Sequence, residues 1–97
     1  MTGRHVEDYL QDILDAIAAI EQFTSDIEFV VFSQNLEKVF AVSRAIEIIG
    51  IAGMRDKMIH DYFNTDLEII WKAVQEDVPQ LKIMISRVLE DVRDQLL

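Results

Sequence analysis

The chain has 97 residues, no cysteine, one proline, three glycines and a formal charge of −9, from 18 acidic against 9 basic side chains. That length allows one hydrophobic core and no separate substrate domain, and the absence of thiols excludes a disulfide framework or a thiolate zinc site. The charge repels nucleic acid at long range, so any RNA contact has to be local, while a hydrophobic fraction of 51% favours an oligomer over a lone monomer.

The opening stretch MTGRHVEDYLQD meets Glu7 and Asp8 before any apolar run, so it does not read as a secretory signal. Phe29 to Phe32, the run FVVF, is far shorter than the roughly 20 residues that cross a bilayer. A reducing, cytoplasmic location is expected, with no membrane contact.

With so few breakers the apolar spacing is helical nearly throughout. Val6, Tyr9, Leu10, Ile13, Leu14, Ile17 and Ile20 recur at three- and four-residue steps, which predicts a helix over 4–23 with one dry stripe and an acidic face of Glu7, Asp8, Asp12 and Asp15. In TSDIE, Ser25 and Glu28 have the spacing of a capping box, predicting a new helix there. Its pattern (Ile27, Val30, Val31) pauses at Ser33-Gln34-Asn35 and resumes at Leu36, Val39, Phe40, Ser43, Ile46 and Ile49, until Gly50 stops it.

A third helix is expected from Ile51 to about His60, and Asn64 to Asp66 supply the break and cap for a fourth with Leu67, Ile70, Trp71 and Val74 inside. Pro79 suits the first turn of a last helix whose inner face is Leu81, Met84, Ile85, Val88, Leu89 and Val92. The sum is one all-α domain over 1–97, an antiparallel bundle of four to five helices with short connections.

The chemistry gathers in RDKMIHDYF, Arg55 to Phe63, within a run of basic groups that also includes Arg44 and Lys72. Residues five apart on a helix are about 140° apart around its axis, so Arg55 and His60 do not meet by spacing alone. A frayed helix end or a two-fold dimer could bring them to one phosphate.

Such a set could cleave RNA without metal, by attack of a 2′-hydroxyl on its neighbouring phosphate. His60 titrates near neutral pH and can act as base or acid. Arg55 offers a planar cation matched to phosphoryl oxygens, and Lys57 adds attraction without fixed geometry. One histidine cannot be acid and base at the same instant, which makes a site shared by two subunits attractive. By spacing alone, Arg55 and His60 read as surface groups or satisfied core polars, Tyr62 as a core or rim aromatic beside Phe63, and Trp71 as core rather than a base-stacking platform. No His-x-x-x-His or Glu-x-x-His pair and no P-loop lysine arrangement occurs, so neither a metal nor a phosphate loop is expected.

IAGMRDKMIHDYF, followed by DLEIIWKAVQEDVPQL, resembles the HepT-like toxins of the HEPN superfamily, whose signature is Arg, four residues, His, any residue, Tyr; Arg55, His60 and Tyr62 fill its three marked positions. YLQDILDAIAAIEQF is similar to the family's first helix and RAIEIIG to the end of its second. The resemblance implies a homodimeric helical bundle with the Arg–His motifs meeting at a cleft between subunits, and metal-independent endoribonuclease activity that arrests growth. It also implies a partner, a minimal nucleotidyltransferase (MNT) antitoxin that uses ATP and magnesium to attach AMP to Tyr62; this chain itself would need no cofactor. A larger hetero-oligomer is compatible with that pairing. The rival reading is a non-catalytic helical subunit that docks a nucleotidyltransferase and positions its substrate.

Two departures from the family pattern stand out. The residue after the motif arginine is often Asn in relatives and is Asp56 here, where it could orient or partly neutralise Arg55; with Lys57 it is expected to support the phosphate contact. Relatives also usually carry about twenty polar, Pro-containing residues between the counterparts of EIIG and IAGM, whereas Gly50 joins Ile51 directly. A segment left out at this join is expected rather than a true deletion, and a Cα separation far beyond about 3.8 Å would show it.

Overall fold

The computed structural model describes residues 2–50 and 67–96, and these are all-α, with no strand among them. Helix α1 (Thr2–Thr24) buries Leu10, Ile13, Ile17 and Ile20, four of the apolar steps read from the sequence, together with Ala16. It packs against both α3 (Leu36–Ile49) and α5 (Val78–Leu96). Between α1 and α3 comes the five-residue α2 (Phe29–Ser33), and α4 (Leu67–Lys72) runs through a π-helical turn (Ala73–Asp77) into α5. Among the described residues, Ile17, Ile20, Phe32, Val42, Ile46 and Ile70 are the largest fully buried side chains, so their core lies where α1, α2, α3 and α4 meet.

Ion pairs fix how α1 lies along α5. Lys82 Nζ is 3.0 Å from Glu21 Oε2, and Arg93 Nε is 2.7 Å from Glu7 Oε1, so the two helices run antiparallel. Both pairs stand at the surface and contribute at most about 1 kcal/mol each; their value is in register. Helix α3 is antiparallel to α1 as well: Lys38 Nζ donates to Phe23 O at 3.2 Å, while Ile48 lines a groove with Asp12.

That arrangement explains the exposed end of the predicted α1 stripe. Helix α3 ends about level with Asp12, so Val6 and Tyr9 overrun it and are 48% and 59% exposed. The last helix also differs from expectation. Its inward line is Val78, Leu81, Ile85, Leu89 and Val92, while Met84 and Val88 stand outside it at 55% and 41% exposure. A helix packed mainly on one neighbour buries a narrow stripe, and the second apolar line falls beyond it.

The capping box at Ser25 does not form. Ser25 N–H still closes α1 by donating to Glu21 O at 2.9 Å, and Asp26 takes a left-handed turn at φ 58°, so the next helix waits until Phe29. Glu28 precedes it in extended conformation and makes no side-chain cap. Of the FVVF run only Phe32 turns fully inward, and Val30 and Val31 are exposed. The cap that does form is Asn35, whose Oδ1 accepts from Lys38 N–H at 3.1 Å and starts α3. Along α3 the line Val42, Ser43, Ala45, Ile46 and Ile49 is buried, with Leu36 and Phe40 outside it. Gly50 ends α3 at φ 75° and ψ 34°, its N–H meeting the carbonyls of Ile46 and Glu47.

Pro79 does not separate two helices. Without an N–H it leaves Gln75 C=O without an α-type donor, and its ring crowds that carbonyl. The chain stays helical by winding Ala73–Asp77 more loosely, and Val78 N–H donates to Ala73 O, five residues back.

Candidate active site

Arg55, Asp56, Lys57, His60 and Tyr62 all lie outside the described residues, as do the expected helix from Ile51 to His60, the Asn64–Asp66 cap and the Gly50–Ile51 join. The described residues show what holds that stretch at its two ends. On the N-terminal side, Ile46 and Ile49 are buried and Gly50 completes α3 with its own backbone bonds. On the C-terminal side, Leu67 packs partly buried against the core, Ile70 is 2% exposed, and the Trp71 ring sits against Phe29 and Phe32. The chain on either side of that stretch is therefore held in packed helices.

Two of the basic groups read as part of the constellation can be placed. Arg44 is exposed and bonds Glu47 through Nη1 at 3.1 Å, one turn along its own helix. It also lines a shallow groove with Asp12, Asp15 and the small side chains of Ala16, Ala19, Ala41 and Ala45, so its charge is set among carboxylates. Lys72 stands 4.0 Å from Glu76 and is exposed as well. Neither is free to give a phosphate an undivided positive charge.

Other cations gather along α5. Lys82, Arg87 and Arg93 line a groove between α1 and α5 floored by Leu14 and Leu89, two of them engaged by Glu21 and Glu7. Contacts across 61 and 86 positions leave no local pattern to read. Trp71 is placed as core, against two phenylalanine rings. Among the described residues no group of three or more His, Asp or Glu could hold a metal ion, and no helix is long and apolar enough to cross a membrane.

Residues 50–88 match the family model described as Ribonuclease HepT-like, a span that includes Arg55, His60 and Tyr62. The chain is 42% identical over 100 residues to the protein named Probable ribonuclease HepT of Thermococcus cleftensis, covering 81% of this chain and 91% of that one. A protein of Methanocaldococcus jannaschii, named as a candidate RNase, is 36% identical over 103 residues, covering 84% and 94%. Another so named, from Caldanaerobacter subterraneus, is 32% identical over 89 residues, covering 91% and 77%. The first two alignments run about a quarter longer than the stretch of this chain they draw on, and the third runs in step with it. No solved structure matches the chain. With a relative this similar matched over nine-tenths of its length, the chain belongs to the ribonuclease HepT-like family.

Proposed function

We propose that this protein is a metal-independent endoribonuclease, the toxin of a two-gene module of the HepT/MNT kind, acting as a homodimer in the cytoplasm. The observation that carries the reading is the motif Arg55-x4-His60-x-Tyr62 lying inside the stretch that matches the ribonuclease HepT-like family. The relatives are named for ribonuclease activity, and the motif supplies side chains suited to it.

The proposed reaction forms a bond from the ribose 2′-oxygen to phosphorus as the P–O5′ bond breaks, leaving a 2′,3′-cyclic phosphate and a 5′-hydroxyl. His60 takes the 2′ proton, and a second imidazole, that of another copy of the chain, returns a proton to the departing O5′. Arg55 neutralises the charge that builds on the phosphoryl oxygens, with Lys57 adding attraction and Asp56 orienting the guanidinium. Tyr62 is the acceptor of AMP from an MNT-type nucleotidyltransferase that uses ATP and magnesium. A nucleotide there sets a phosphodiester charge and a bulky base in the way of RNA.

Incubating purified wild type, Arg55→Ala and His60→Ala with RNA in EDTA tests the nuclease half. Cleavage by the wild type alone is expected; intact RNA in all three lanes, beside tight binding of the nucleotidyltransferase, overturns it. Mass spectrometry of Tyr62 after co-expression with the nucleotidyltransferase tests the other half, and an unmodified tyrosine overturns the silencing mechanism.

A further inference from the structure

Past the end of α3 the described bundle thins to two helices. Ile48 stands about level with Asp12, so the first turns of α1 and the stretch of α5 tied to them by the Glu7–Arg93 pair extend beyond α3. Helix α3 meets α1 on the side of Ala16 and Ala19, and α5 meets it on the side of Leu14, with the buried stripe of α1 between them. That stripe does not stop where α3 does.

At about 100° per residue, Val6 points within about 20° of Ile13 and Tyr9 within about 40°. On α5, Val92 lies about 20°, Val88 about 60° and Met84 about 100° from Ile85. Ile13 belongs to the core and Ile85 packs against it, so these five side chains continue the inward faces of two adjacent antiparallel helices. Met84, Val88 and Val92 follow one another at four-residue steps, and the Glu7–Arg93 pair sets Val92 near the level of Tyr9. They make one apolar ledge. Val92 is half-buried, yet Val6, Tyr9, Met84 and Val88 are left between 41% and 59% exposed.

Two helices that share an apolar face form a single layer, and such a layer is stable when a second one covers it. We propose that the ledge is the surface on which a second copy of this chain packs, α1 and α5 of one copy against α1 and α5 of the other across a two-fold axis, in a four-helix arrangement. The area fits that occupant. The exposed parts of Val6, Tyr9, Met84 and Val88 amount to roughly 400 Å² of mostly apolar surface. A standard interface buries about 800 Å² per partner, of which about 57% is non-polar, so the ledge supplies most of the apolar share. The proposal rests on the homodimer part of the proposed function and adds to it where the copies meet.

The test uses the full chain and its lack of cysteine. Sedimentation over a range of concentrations should show the wild type as a dimer. In the doubly substituted Tyr9→Glu, Val88→Glu protein, helical by circular dichroism, the dissociation constant should rise by about 100-fold or more, because two carboxylates would be buried unpaired. A short bis-maleimide should join two copies of Tyr9→Cys and of Val88→Cys, and leave Gln22→Cys, about 180° from Ile13 around α1, as single chains. If the double glutamate variant does not fold, the cross-links decide. A wild-type dimer that the folded glutamate variant keeps, or that links no better through Tyr9→Cys and Val88→Cys than through Gln22→Cys, overturns the proposal and leaves the homodimer reading standing. A monomeric wild type overturns both, and gives the ledge to another occupant.

Discussion

The ring of Trp71 lies 5.1 Å from that of Phe32, centroid to centroid, inclined at 38°, and Phe29 closes the cluster at 6.1 Å. This contact joins the start of the C-terminal helical run to α2 and hence to the N-terminal half. Phe32 is fully buried, so Phe32→Ala should cost about 3 to 5 kcal/mol. Against a typical stability of about 5 to 15 kcal/mol that is a large share. Urea unfolding followed by Trp71 fluorescence should show a much lower midpoint, while Phe32→Leu should lose less than about 1.5 kcal/mol.

Asn35 begins α3 with one side-chain bond to the Lys38 amide. Asn35→Ala leaves that amide without its cap and should cost about 1 kcal/mol, whereas Asn35→Asp keeps an acceptor and should stay close to wild type. The urea midpoint should move with an unchanged slope, because the surface exposed on unfolding is the same.

At Gly50 the backbone is left-handed, and a Cβ built there meets nothing within 4 Å among the described residues. The cost of Gly50→Ala is therefore conformational alone, about 1 to 2 kcal/mol. Gly50→Asn should cost less, since asparagine visits that region more readily. Thermal melts of the two variants side by side would show the order.

The Glu7–Arg93 pair is short, with Glu7 the less exposed partner. A double-mutant cycle with Glu7→Gln and Arg93→Met should give a coupling of about 0.2 to 1 kcal/mol, shrinking as salt is raised toward 1 M. A coupling that salt leaves unchanged would mean the contact is packing rather than charge.

On the proposed mechanism, Tyr62→Phe should cleave RNA like wild type yet escape silencing after incubation with the nucleotidyltransferase, ATP and magnesium. A gel of cleavage products before and after that incubation reads both effects. Silencing of the phenylalanine variant would move the acceptor elsewhere.

The helical class, the span of α1 and the stop at Gly50 were legible because each rests on local signals: a three-four apolar period and a glycine where a left-handed residue is required. Which of two adjacent apolar lines faces inward was not. Met84 and Val88 carry the same period as Ile85 and Leu89, and only the position of α1 separates them. Ser25 and Glu28 have the letters of a capping box, but Ser25 N–H is already engaged with Glu21 O. Pro79 read as a boundary because proline cannot donate; that a looser turn could absorb it is decided by Ile70 and Ala73 having to face the same core as Leu89. The motif was legible only as a pattern of letters, since Arg55 and His60 do not converge by helical spacing and both lie outside the described residues.

Gly50 finishes α3 using carbonyls of that same helix. The last turn of α3 therefore closes on its own carbonyls. Extra polypeptide spliced in behind such a self-sealed end would add only a slowly growing closure entropy, roughly 0.6 kcal/mol per doubling of length. Proteins of this kind can thus differ by a whole insertion at that point while α3 still ends on its own bonds.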